Sequence, residues 1–121
     1  MIIPTITNPV FAMVTKGIQD YSQQQGYSIT LGNTDYDEEN EMRLIHLVQE
    51  KRADGVILNG PWRGAPIVPL MRKTRLPFVI TWQTLGDRRV NFVAFDNSQS
   101  AYRIVQYLVG LGHRRIGMID G

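Results

Sequence analysis

The side chains in this sequence with chemistry to offer are rings, amides and a carboxylate rather than nucleophiles. Phe11, Trp62 and Trp82 supply flat apolar faces, Thr5, Asn59 and Gln99 supply neutral hydrogen-bonding groups, and Asp96 supplies an acceptor carboxylate. Such a set suits recognition, with ring faces for apolar contact and amides or a carboxylate for directional hydrogen bonds. No strong nucleophile–base pairing accompanies it. The chain has no cysteine, which excludes disulfides and thiolate chemistry. A phosphate-cradling P-loop, a glycine-rich dinucleotide turn after the first strand and a serine elbow are all missing. His46 and His113 stand alone, without the spacing of a metal pair. The acidic run from Asp35 to Glu41 lacks the glycine and closing glutamate of a calcium loop. The residues therefore call for no cofactor, no metal and no enzymatic reaction.

Each candidate also has a purely structural reading. Trp62 and Trp82 either stack on a ligand or plug a layer of loops. Phe11 either borders a crevice or belongs to the core stripe of a helix. Asp96, in Asp96-Asn97-Ser98 ahead of a helix, is favoured as a cap or turn holder over a ligand contact. Asn59 reads more readily as a turn residue.

The elements that must position these groups follow a strand–helix rhythm. Met1–Ile3 is a short strand ended by Pro4, and Asn8-Pro9 caps and opens a helix whose stripe is Phe11, Val14, Ile18 and Tyr21. Gly26 stops it. Tyr27–Leu31 is the expected second strand. Asp37 caps a second helix with acids in its first turn, Lys51 and Arg52 at its end, and Leu44, Ile45 and Val48 on its buried face. Gly55–Leu58 reads as a strand buried on both faces. A short helix begins at Pro66 and ends before Pro77. Phe78–Thr81 and Asn91–Phe95 are further strands, and a helix from about Ser98 to Leu111 follows, with Ala101, Ile104, Val105 and Leu108 on one face. Gly112-His113 stops it, and Arg115–Ile119 is an expected sixth strand.

Strands alternating with helices predict an α/β fold, a doubly wound parallel sheet covered on both faces in three α/β/α layers. In such sheets ligands bind beyond the carboxyl ends of the strands, near the point where strand order reverses. That rule selects Thr5–Phe11, Asn59–Trp62, Thr81–Gln83 and Asp96–Gln99, the segments that hold every candidate named above.

Bulk properties agree with one ordinary domain. The 121 residues are 43% hydrophobic and 20% charged, with a formal net charge of +2. The scattered arginines read as a solvated surface rather than a nucleic-acid groove. No apolar run approaches the roughly 20 residues that span a bilayer. Met1-Ile2-Ile3-Pro4 lacks the basic start and apolar stretch of a signal peptide. The expected location is cytoplasmic.

Several short motifs in order resemble the effector-binding core of LacI/GalR-type bacterial transcription regulators. They are Ile2-Ile3-Pro4, Asn8-Pro9-Val10-Phe11, Gly17-Ile18, Gly26-Tyr27, Leu31-Gly32-Asn33 and Arg52-Ala53-Asp54-Gly55-Val56-Ile57. The most specific is Asp96-Asn97 followed by Leu111-Gly112-His113-Arg114-Arg115-Ile116. The resemblance implies a type I periplasmic-binding-protein-like core of two lobes that closes on a small-molecule effector. It also implies a homodimer, no membrane, and operator DNA bound only through an N-terminal helix-turn-helix that this chain lacks. Residues 1–113 would be an incomplete N-terminal lobe, and 114–121 the passage to a second lobe and its first strand. A later segment would return to complete the first lobe. Thr81-Trp82 matches the place where many sugar-sensing members carry Asp-Arg, which implies a flatter or more apolar effector. Val10 departs from the aromatic that purine-repressor-like members carry at its position. The expected effector contacts are thus Thr5, Phe11, Asn59, Trp62, Trp82, Asp96 and Gln99. A periplasmic sugar-binding protein of a transport system shares the fold and is the alternative.

Overall fold

The structure, a computed structural model, describes residues 1–60, 67–82, 84, 87 and 89–119. The strands are β1 (Ile2–Ile3), β2 (Gly32–Asn33), β3 (Val56–Asn59), β4 (Phe78–Thr81) and β5 (Asn91–Val93). The helices are α1 (Pro9–Gln24), α2 (Glu38–Glu50), α3 (Ile67–Thr74) and α4 (Asn97–Gly110). All strand pairs are parallel, in the order β2-β1-β3-β4-β5. Strand order therefore reverses between β1 and β3, and the doubly wound α/β sheet expected from the sequence is the fold.

Local chemistry sets the helix ends. Asn8, Asp37 and Asp96 each accept a backbone N–H of their own helix's first turn, the role expected of them. At the other end, α1, α2 and α4 close with the same paired bonds. Tyr27 N donates to Ser22 O and Gly26 N to Gln23 O, Ala53 N to Val48 O and Arg52 N to Gln49 O, and His113 N to Leu108 O and Gly112 N to Val109 O. The turn residue has positive φ in each case, +79° at Gly26, +52° at Arg52 and +92° at Gly112.

Register places the core. Ile2 lies opposite Leu58, which lies opposite Ile80, so these three point to one face. There they meet Leu44 and Ile45 of α2 and Ile67 and Met71 of α3. Ile2, Ile45, Leu58, Met71 and Ile80 are fully buried, each side chain worth about 1.5–3 kcal/mol of burial as an upper estimate. The next residues along the strands, Ile3, Ile57 and Val79, point to the opposite face. Phe11 is the one buried residue of α1. Ile57 and Val79 remain half-buried, and with Ser22 and Asn91 they line a groove of about 600 Å³.

Two strand expectations are corrected, and the layers prove unevenly packed. The second strand is Gly32–Asn33 rather than Tyr27–Leu31. Parallel pairing needs a neighbour at the same level, and the ladder runs where the Met1 amine donates to Thr30 O and its carbonyl accepts Gly32 N. Arg115–Ile119 forms no strand, because no described strand lies beside it, and its residues are exposed. The sheet is fully covered on one face only. All of β5 is exposed, and α4 buries no residue, with Ile104 at 62% and Val105 at 48% exposure.

This asymmetry predicts unequal responses to the same kind of truncation. Leu58→Ala should cost about 2–5 kcal/mol, because its surroundings are already closed. Ile104→Ala should change stability by no more than about 0.5 kcal/mol. Urea unfolding of this chain, followed by circular dichroism, measures both.

Candidate functional site

At the carboxyl edge of the sheet, beside the reversal point, three of the expected residues meet. Asn59, the last residue of β3, is wholly buried. Its Oδ1 accepts from Thr81 Oγ1 at 2.6 Å and from Trp82 Nε1 at 2.6 Å. Trp82 in turn packs edge-on against Phe11, with ring centroids 5.5 Å apart and planes at 64°. Phe11 is 5% exposed while Trp82 is half-buried. The two rings thus form a step, with Phe11 beneath and part of Trp82 presented to solvent. Phe11 is a core residue that also carries the Trp82 ring at the sheet edge.

The step depends on close backbone approach. Gly60 follows Asn59 with φ +114°, and a Cβ there would lie 2.3 Å from Pro4 Cγ and 3.3 Å from Phe11 Cε1. Only glycine lets the end of β3 reach the end of β1 and the Phe11 ring together. Trp82 itself sits at φ +75°, a left-handed conformation that costs a side-chain-bearing residue about 1–2 kcal/mol. Its backbone N–H donates to Val93 O at 3.1 Å, and the indole bond to Asn59 fixes the other end. Backbone and side-chain bonds together hold the unusual geometry.

The remaining described candidates make local bonds of their own. Thr5 is 7% exposed, its Oγ1 paired with Thr7 Oγ1 at 2.9 Å and accepting Thr7 N at 3.2 Å. That hydroxyl shapes the β1 loop. Asp96 caps α4, Oδ1 accepting the backbone N–H of Gln99 at 2.8 Å, and both residues are exposed. Asp96 and Gln99 are brought to each other rather than to the ring step. Trp62 lies outside the described residues. Sequence reasoning did not find the roles of Thr81 and Gly60, which depend on pairing across the sheet. It also passed over Thr34, buried at the end of β2 with its Oγ1 donating to Pro4 O at 3.4 Å and accepting Tyr36 N at 3.3 Å.

Lys16–Asp20, Arg72–Asp87 and Arg89–Asp87, ion pairs among the described residues, do not involve the ring step. Asp87 holds Arg89 and Arg72, and their guanidinium groups, Arg89 first, keep its carboxyl well below the usual carboxylate range. That ion-pair group ties α3 to the approach of β5. The 600 Å³ groove is no part of the site either, since Met1, Gly55, Pro77 and Asn91 place it at the amino ends of the strands. Among the described residues no cluster of three or more His, Asp or Glu exists to hold a metal ion. Among the described residues, this edge offers two neutral rings, a buried amide and hydroxyls, groups suited to recognition.

Gly60→Ala tests the close approach. It should destabilise the chain by roughly 2 kcal/mol or more through backbone strain and overpacking against Pro4, read as a lower urea midpoint with unchanged slope.

Comparison with known proteins places this geometry. The model of a family described as periplasmic binding proteins and sugar binding domain of LacI family matches residues 1–121. Catabolite control protein A of Priestia megaterium is 29% identical over 121 residues, covering all of this chain and 36% of that protein. The HTH-type transcriptional repressor PurR of Aliivibrio fischeri is 29% identical over 122 residues, again covering all of this chain and 36% of the relative. The chain spans about a third of the length of these curated relatives. Among solved structures, the transcription regulator CcpA of Lactococcus lactis superposes with a TM-score of 0.85 at 29% identity, over 96% of this chain and 43% of that one. The transcription regulator GntR from Chromobacterium violaceum gives 0.77 at 30% identity, over 96% and 42%. The parallel sheet order and the family match over residues 1–121 agree: this chain belongs to the periplasmic binding proteins and sugar-binding domains of the LacI family.

Proposed function

We propose that this chain is the ligand-sensing part of a bacterial DNA-binding transcription regulator, holding a small-molecule effector between its own lobe and a second one. The observation that carries the proposal is the Phe11–Asn59–Trp82 cluster at the carboxyl edge of β3 and β4, where a doubly wound sheet offers a crevice. The named relatives are regulators, which favours this reading over a periplasmic sugar-binding protein of a transport system. Trp82 presents a ring face where an ion pair would suit a densely hydroxylated sugar. The effector it fits is a neutral molecule with a flat or apolar ring face, such as a nucleoside, a purine or the less polar face of a sugar. Thr5, Asp96, Gln99 and Trp62 are proposed as further contacts, Asp96 through the carboxylate oxygen that its cap leaves over.

In the longer protein, operator DNA would be read by a helix-turn-helix ahead of this segment, and the working form would be a cytoplasmic homodimer. Among the described residues no helix is long and apolar enough to cross a membrane. The expected division after residue 113 is moved earlier by this reading. From Asp96 to Ile119 only Leu108 is even half-buried, which supports assigning α4 to the second lobe and placing the passage at Phe95–Asp96. The groove beside Ile57 and Val79 likewise supports a returning segment that completes the first lobe. An effector acts on DNA binding only by preferring one of two lobe arrangements, and the coupling equals that difference in affinity.

A thermal-shift screen of nucleosides, purines and sugars on the full-length protein tests this. A ligand at about 100 times its Kd should add about 2.7 kcal/mol of stability. Trp82→Ala should weaken that ligand about tenfold or more while leaving the fold intact. A full screen without response, together with turnover of some substrate, would overturn the proposal.

A further inference from the structure

Asn59 is the one residue of the ring step that neither solvent nor a ligand reaches, being 0% exposed. Its side-chain hydrogen bonds run to Trp82 and to that residue's neighbour Thr81. Indole Nε1–H is a donor with no acceptor capacity, so the amide atom facing it is the oxygen, which fixes the orientation of the side chain. Oδ1 then receives two short bonds, from Thr81 Oγ1 and Trp82 Nε1, while Nδ2 has no partner. A buried amide with its donor half unsatisfied is a costly choice for mere packing, where an aliphatic side chain of similar size would do. The cost has a return only in what the oxygen does, and the oxygen holds an indole in place.

We propose that Asn59 is a positioning residue that sets the orientation of Trp82, fixing the indole edge-on against Phe11 before any effector arrives. Without this bond, the ties of Trp82 among the described residues are its backbone bond to Val93 and its ring contact with Phe11. The half-exposed ring would then turn about its side-chain bonds, and its face would no longer stand at one angle to the crevice. Pre-set orientation lowers the ordering cost of binding and restricts the site to ligands that match that one ring plane. Asn59 thereby acts on effector choice without touching the effector. This consequence rests on the function proposed above; the latch itself does not.

The test is on the full-length protein, with tryptophan labelled in the indole nitrogen and the Trp82 resonance identified by its loss in Trp82→Phe. In the unmutated protein the Trp82 Nε1–H should exchange with water about tenfold or more slowly than in an unfolded chain. Asn59→Leu should abolish that protection and move the resonance. Asn59→Asp should restore it, because a carboxyl oxygen accepts in either protonation state, whereas damage from altered packing would not be rescued by this more polar residue. Free exchange of Trp82 Nε1–H in the unmutated protein overturns the proposal, and it decides the matter even if Asn59→Leu does not fold. So does a folded Asn59→Leu with protection unchanged. Protection that depends on Asn59, combined with a Trp82→Ala protein that binds its screened ligand as before, would leave the latch standing and remove the effector role assigned to Trp82.

Discussion

The structure turns on the close meeting of the ends of β1 and β3. These neighbouring strands lead their chains to opposite sides of the sheet, and their carboxyl ends would part if nothing drew them together. Gly60 allows the contact, with no side chain to keep it from Pro4 and Phe11. Phe11 is held in the gap as the buried anchor of α1, and Trp82 is set upon Phe11. Each later feature of the site borrows its position from that meeting: the ring step from Phe11, the indole angle from Asn59, and the Asn59 side chain from its place beside Gly60. A crevice at the reversal point is thus a consequence of topology, but its floor and wall depend on one glycine.

A second constraint is the uneven cover of the sheet. Parallel strands leave both faces needing apolar cover. The side chains of Ile2, Leu58 and Ile80 obtain it from α2 and α3. On the other face Ile57 and Val79 are half-buried, and all of β5 is exposed. A helix such as α4, with Ile104, Val105 and Leu108 along one side, gains little stability without tertiary packing, since propensity alone is marginal at this length. The exposed side of α4 and the exposed strand β5 are therefore two aspects of one fact. The chain's packing is concentrated at β1, β3 and β4, and its last quarter contributes regular structure without core.

What the sequence made legible was whatever local chemistry decides. Asn8, Asp37 and Asp96 were readable as caps because a short acceptor side chain before a helix has one dominant use. Gly26 and Gly112 were readable as stops because positive φ favours glycine. Strand limits were less legible, since pairing belongs to two segments at once. Tyr27–Leu31 has strand composition, yet the ladder starts where β1 supplies a partner, at Gly32. Arg115–Ile119 has the composition too, and no described strand stands beside it. The site divides the same way. That Asn59, Phe11 and Trp82 share one edge followed from topology, whereas the bond from Trp82 to Asn59 spans 23 positions and left no local mark. The turn role that Asn59 seemed to announce gave way to a buried one, because its β3 position faces Thr81 across the ladder.

A crevice edged by neutral rings, as proposed for this chain, differs in its energetics from one edged by charged groups. Charged groups at a half-buried edge must shed water before they bind, and their gain depends on how well a ligand replaces it. A ring face has little water to lose and contributes through contact area, at about 25 cal/mol per Å² of apolar surface covered. Its weakness is direction, because dispersion and apolar contact discriminate poorly between orientations. Direction must then come from the rigidity of the ring itself. In this chain that rigidity is assembled from three ties on Trp82: a backbone bond to Val93, an edge contact with Phe11 and the indole bond to Asn59. All three act on a residue whose backbone is left-handed, and they offset the cost of that conformation.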